Sequence, residues 1–182
     1  SVCKSSIMAT PADEESGVKG FLFQYLQQMD DMYSKSAGRM WGWTDEMGLA
    51  LCSHYFKWLM DNGQYYERDD ERMNELLETS YYQPELKQCY QNSLFMMQED
   101  GVGYCEGYMI SSSLPIPIEH AWNVVDGKVV DFTSSLWDWK ADDEKRIYFG
   151  VEMPKQWALG KMNELMITGP YLKHFVYEQL KG

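Results

Sequence analysis

At 182 residues, 45% of them hydrophobic and 15% aromatic, the chain is long enough to bury a sizeable core and is expected to fold as one domain. A formal charge of −12 disfavours nucleic-acid phosphates and anionic membrane surfaces, because like charges raise the encounter energy. No run of about 18 apolar residues is present, so no membrane-spanning helix is expected.

Residues 1–16 are small, polar and acidic; they read as an N-terminal arm without the apolar core of a secretory signal. Residues 17–182 read as a single α+β domain: a helical part over 17–80, a core over 81–152 and C-terminal helices over 153–182. From Val18 to Lys35, Phe21, Leu22, Tyr25, Leu26, Met29, Met32 and Tyr33 recur at helical spacing. Thr44 suits the cap of a second helix, ended near Asp61 by Asn62-Gly63, and Asp69 to Thr79 reads as a third. The first 80 residues are therefore expected to be all helical. Pro84 suits the first turn of a fourth helix spanning Glu85 to Gln98. Strand composition follows over Tyr104 to Ile110, and again over Arg146 to Val151. Helices from Pro154 to about Met166, and after Gly169-Pro170, complete the chain.

Cys3, Cys52, Cys89 and Cys105 are widely spaced and include no CxxC pair. That argues against a zinc site or a disulfide scaffold and points to a reducing, cytoplasmic compartment, with a secreted or virion-associated setting as the alternative. No metal or organic cofactor is implied.

The most informative stretch is 117–133. Asp126-Gly127 lies between two Val- and aromatic-rich runs and predicts a β-hairpin with a type I′ turn. That register pairs Val125 with Lys128, Val124 with Val129, Trp122 with Asp131 and His120 with Thr133. By strand alternation His120, Trp122 and Asp131 share one sheet face, with His120 and Asp131 as diagonal neighbours. A carboxylate that orients an imidazole is half of a nucleophilic triad. Candidate nucleophiles are Cys89, Cys105 and the serines at 111–113. Cys89 has the best setting, near a helix start whose unpaired N–H groups favour a thiolate and can stabilise an oxyanion. Cys105, within a strand, reads as a buried and inert thiol.

Cys89-Tyr90-Gln91-Asn92-Ser93, Glu106-Gly107-Tyr108, Glu119-His120-Ala121-Trp122 and Val130-Asp131-Phe132-Thr133 together resemble the papain-like and transglutaminase-like cysteine hydrolase superfamily, closest to small bacterial and phage members. The resemblance covers residues 83–133. It implies a nucleophile-bearing helix packed on a small antiparallel sheet, and a triad in the chain order Cys89, His120, Asp131. It also implies an oxyanion-hole glutamine, for which Gln83 stands six residues before Cys89 and Gln88 directly before it. The sequence departs from the papain branch in lacking a CGSCW-type motif, and the interval from Cys89 to His120 is short.

Asn92, one helical turn beyond Cys89, is open to substrate contact or structural hydrogen bonding. Glu106 and Tyr108, on one face of their strand, can line a cleft or pack inside. Trp122, Trp137 and Trp139 give aromatic surface that is core by default and a binding wall if exposed. His54 and His174 read as structural or surface residues.

The functional expectation is a thiol hydrolase (protease, amidase or deamidase) or an acyl transferase, acting on a protein, peptide or small acyl substrate. The alternative is a non-enzymatic acidic protein that covers a basic surface of a partner.

Overall fold

The computed structural model describes residues 11–36, 45–112, 116–136 and 145–182. Among them the chain runs α1 (Pro11–Ser36), α2 (Glu46–Asn62), β1 (Gln64–Tyr66), α3 (Asp70–Thr79), α4 (Cys89–Met96), β2 (Gly103–Ser111), β3 (Ile118–Val125), β4 (Lys128–Val130), a 3-10 turn (Ser134–Leu136), β5 (Arg146–Met153), α5 (Lys155–Leu165) and α6 (Leu172–Lys181). The architecture is α+β, as composition and element order predict. None of the described helices is long and apolar enough to cross a membrane.

The strands form one antiparallel sheet in the order β1-β5-β2-β3-β4. The sheet curls until its ends meet. Immediately after β1, Glu67 accepts from the Val129 N–H at 2.7 Å, and the Asp69 N–H donates back to the Val129 carbonyl at 2.8 Å. Two glycines permit the curl. Gly107 and Gly150 are ladder partners between β2 and β5. A Cβ on Gly107 would fall 2.2 Å from the Phe149 carbonyl oxygen, and one on Gly150 would fall 2.3 Å from the Glu106 carbonyl oxygen. Backbone packs on backbone there, as only glycine allows.

The concave face carries Tyr66, Cys105, Met109, Trp122, Val124, Val129 and Tyr148, packed as one apolar cluster. The convex face carries Tyr104, Tyr108, Ala121 and Phe149 and is covered by helices. Leu22 and Leu26 of α1, Leu51 and Leu59 of α2, Leu94 of α4 and Val176 of α6 all pack there with no or almost no exposure. Each such residue contributes about 2 kcal/mol relative to an exposed one.

Several expectations change. Residues 11–16, assigned to the arm, belong to α1, which begins at Pro11; the rest of that segment lies outside the described residues. Thr44 lies outside the described residues; Asp45 caps α2 instead, its Oδ1 accepting from the Gly48 N–H at 2.6 Å. The first 80 residues are not all helical, because β1 pairs with β5. Helix α4 begins at Cys89 rather than Glu85. Lys87 takes a left-handed φ of 63°, which no helix continues through, so Pro84 to Gln88 form a turn ahead of the helix. The type I′ turn is present, with φ of 51° at Asp126 and 77° at Gly127. Its ladder pairs Val125 with Lys128, Val124 with Val129 and Asn123 with Val130, then stops. The expected pairs Trp122–Asp131 and His120–Thr133 do not form. Asp131 leaves the strand because its Oδ1 accepts from the Ser134 N–H at 3.1 Å, which turns the chain.

Candidate active site

Cys89 is the first residue of α4, and the Gln88 side chain makes no cap hydrogen bond ahead of it. The opening N–H groups of a helix have no intrahelical partner, so they face outward around the sulfur. The position of α4 is fixed by amides. Asn123 of β3 donates through Nδ2 to the Ser93 carbonyl at 2.8 Å and to the Gly103 carbonyl at 2.9 Å, joining helix to sheet.

His120 is 2% exposed and belongs to the concave face. Its Nε2–H donates to Asp131 Oδ2 at 2.8 Å. The Cys89 side chain lies within hydrogen-bonding reach of the same ring, and with Nε2 committed to Asp131 the nitrogen left for sulfur is Nδ1. Because β4 pairs only with residues 123–125 of β3, the edge at His120 is open toward the helix. Trp122 lies nearly parallel to the imidazole, with 6.4 Å between ring centroids and 24° between planes. It limits rotation of the ring.

Asp131 is 1% exposed and accepts three hydrogen bonds, from His120, from the Ser134 N–H and from the Tyr148 hydroxyl at 2.8 Å. Burial alone would raise its pKa, but the imidazole and the donated hydrogen bonds win and hold it below the usual carboxylate range. Burial likewise pushes His120 down, yet the charge and hydrogen bond of Asp131, with a further contribution from Cys89, raise it above its ordinary value. An ionised pair is thus held in the interior, its Asp131 oxygens fully engaged.

Cys89, His120 and Asp131 are therefore brought together. Gln83 and Gln88 lie exposed on the turn leading into α4, Gln88 adjoining the thiol. The other four candidates for substrate contact are placed differently. Asn92 is wholly buried and makes four hydrogen bonds, with the Tyr82 hydroxyl, both backbone groups of Glu85, and Thr133. Glu106 is buried on the convex side, accepting from the Tyr104 hydroxyl and from the Tyr171 and Leu172 N–H groups. Tyr108 is buried against α1, edge-on to Tyr25, and Trp122 is wholly buried behind the imidazole. Trp137 and Trp139 lie outside the described residues.

Among the rival nucleophiles, Cys105 is wholly buried and burial raises its thiol pKa strongly; burial also raises that of Cys52. Ser111 is buried at the end of β2. Among the described residues no three or more of His, Cys, Asp and Glu are grouped to hold a metal ion. Tyr148 is the site residue that sequence reasoning misses. It reaches Asp131 from β5, whose pairing with β2 leaves no local signal.

Searches against family models, curated proteins and solved structures return no match for this chain.

Proposed function

We propose that the protein is a cysteine-dependent hydrolase or acyl transferase acting on an amide, ester or isopeptide carbonyl. One observation carries this reading: a buried imidazole fixed by Asp131 at 2.8 Å, with the Cys89 side chain at a helix start on its other side. The sulfur attacks the carbonyl carbon as thiolate, the carbonyl π electrons move onto oxygen, and N–H groups at the start of α4, with the amide of Gln88 or Gln83, receive that charge. His120 then donates its proton to the leaving amine or alkoxide as the carbon–heteroatom bond breaks, leaving a thioester. Water or an amine attacks the thioester, His120 takes its proton, and sulfur departs. Asp131 stays ionised throughout and holds the ring. The resemblance to papain-like and transglutaminase-like enzymes supports the same roles, and the substrate would be a protein, a peptide or a small acyl compound.

Thiol reactivity tests the proposal. At about pH 6, iodoacetamide should label Cys89 at least about tenfold faster than Cys52 or Cys105, and His120→Ala should erase that preference. Equal, slow labelling of all three would defeat the reading.

A further inference from the structure

Strands β1 and β5 separate after Tyr66 pairs with Tyr148. Beyond that pair residues 67–69 cross to β4, where the Glu67 carbonyl and the Asp69 N–H both bond to Val129. Arg146 and Ile147 stay with β2, paired with Ser111 and Ile110. The divergence opens a cleft of about 480 Å³, with Arg68 on one side and Lys145 and Arg146 on the other. Helix α1 adds Lys19, which is tied to β1. Its carbonyl accepts from the Tyr65 hydroxyl at 3.1 Å, and its ammonium lies 5.2 Å from the centre of the Tyr65 ring.

Four of the chain's 16 Lys and Arg residues thus line one cleft, in a protein whose formal charge is −12. All four are partly buried, whereas Glu67, the one carboxylate of the lining, is exposed. Arg68 also pairs with Asp70 at 3.0 Å, but the Asp70 side chain is 53% exposed, and an ion pair so open to water contributes at most about 1 kcal/mol. An oxyanion that collects several charge-assisted hydrogen bonds at once displaces contacts of that kind. The overall negative charge does not prevent this. At 0.1 M salt, charges more than about 10 Å away are largely screened, so the cations around the cleft set its potential.

We propose that this cleft between β1 and β5 is a binding site for a phosphomonoester of a small organic molecule. None of Cys89, His120 or Asp131 lines it, so the proposal stands apart from the thiol chemistry. A phosphomonoester carries a charge of about −1.5 to −2 at neutral pH and three acceptor oxygens. That suits two guanidinium forks arriving from different strands, with two ammonium groups as point charges. A carboxylate, with one charge and two oxygens, engages one fork and leaves the other cations unanswered. Bare phosphate would leave much of the space unfilled, since the volume falls within the roughly 300–1,000 Å³ of small-molecule sites. The uncharged lining, Tyr65, Tyr66 and Ile147, is left to the attached organic group.

Isothermal titration calorimetry of the full chain in about 0.1 M NaCl, with phenyl phosphate, inorganic phosphate and benzoate as probes, tests the assignment. Phenyl phosphate should bind most tightly, inorganic phosphate next, and benzoate at least about tenfold more weakly than phenyl phosphate. Arg68→Gln and Arg146→Gln should each weaken phenyl phosphate about tenfold or more, as the loss of a charged hydrogen-bond donor implies. Lys181→Gln makes the same change of charge at the exposed end of α6 and should alter the affinity by less than about twofold. If an arginine variant fails to fold, Lys19→Gln and Lys145→Gln carry the test, each expected to weaken phenyl phosphate by about fivefold. No binding of phenyl phosphate at about 10 mM would overturn the site. An affinity unmoved by every folded cleft variant, or lowered as much by Lys181→Gln, would also overturn it. Benzoate bound as tightly as phenyl phosphate would overturn the choice of phosphate, and inorganic phosphate bound as tightly would overturn the organic part.

Discussion

The Asn92 side-chain amide donates to the Thr133 hydroxyl at 2.8 Å, joining the helix that begins at Cys89 to the turn that begins at Asp131. The same amide holds both backbone groups of Glu85, in the turn just ahead of Cys89. One buried residue thus sets the separation between the nucleophile's helix and the carboxylate's turn. Neither Cys89 nor Asp131 touches Asn92 directly through these bonds, so Asn92 is a positioning residue.

Asn92→Ala should accordingly cost roughly 3 kcal/mol, because it strands partners whose hydrogen bonds cannot all be replaced by water. For a chain of this size that is a fall of about 6–12 °C in melting temperature. Thr133→Val removes only the bond between helix and turn and should cost about 1 kcal/mol. If Thr133→Val slows Cys89 alkylation without a matching loss of stability, the bond governs geometry; unchanged alkylation in both variants would refute the positioning role.

Asp131→Asn removes the charge that holds His120 protonated. In the native protein the imidazole pKa is raised, so its ring should remain protonated through neutral pH. Once Asp131 is neutral, burial is opposed by Cys89 alone and the His120 pKa should fall. The sign for stability follows. A raised folded pKa contributes stability present below about pH 6.5 and lost as pH rises through the folded value, and Asp131→Asn should abolish that slope. Titration of the imidazole by NMR checks the first point, and identical titrations of both proteins would contradict it.

What could be read from sequence was what depended on neighbours in the chain. Asp126-Gly127 fixes the register of its own hairpin, and that register brings His120 near Asp131 even though the ladder stops at Val130. The early stop reflects a competing local bond, Asp131 to the Ser134 N–H, whose strength relative to a ladder bond composition does not reveal. The first strand is three residues long, too short for alternation to appear, and exists because β5 offers an edge. Tyr148 and Glu106 were illegible for the same reason. The partner of Tyr148 lies 17 positions away and the N–H partners of Glu106 lie 65 or more away, and only the closed curl of the sheet and the return of α6 bring them together. The helix start at Cys89 carries no sequence signal because Lys87, rather than glycine, takes the left-handed conformation ahead of it.

The glycine pair behind the curl gives a sharper mechanical test. A Cβ on Gly150 would meet both the Glu106 carbonyl oxygen at 2.3 Å and the Trp122 ring at 2.7 Å. Backbone cannot yield there without opening the contact between β2 and β5, and the displaced Trp122 is the ring lying beside His120. Gly150→Ala should therefore cost on the order of 3 kcal/mol, or about 6–12 °C in melting temperature, and should slow Cys89 alkylation in whatever fraction remains folded. A variant melting within about 2 °C of the native protein would show that the strands can part freely.

Glu106 makes the protein's stability fall as pH rises through the weakly acidic range. Burial raises its pKa from 4.5 to about 7, against the opposing pull of the Tyr104 hydroxyl and the two N–H groups at the start of α6. Between those values the unfolded chain has lost this proton while the folded protein keeps it. The folded state binds more protons in that window, so this group's contribution to stability declines from about pH 4.5 to about pH 7 and is level on either side. The full change is roughly 3 kcal/mol. Glu106→Gln retains an oxygen for the N–H groups and an amide for the Tyr104 oxygen but cannot ionise. Urea denaturation across that pH range should show the native slope flattened in the variant, and equal slopes in the two proteins would assign the titration elsewhere.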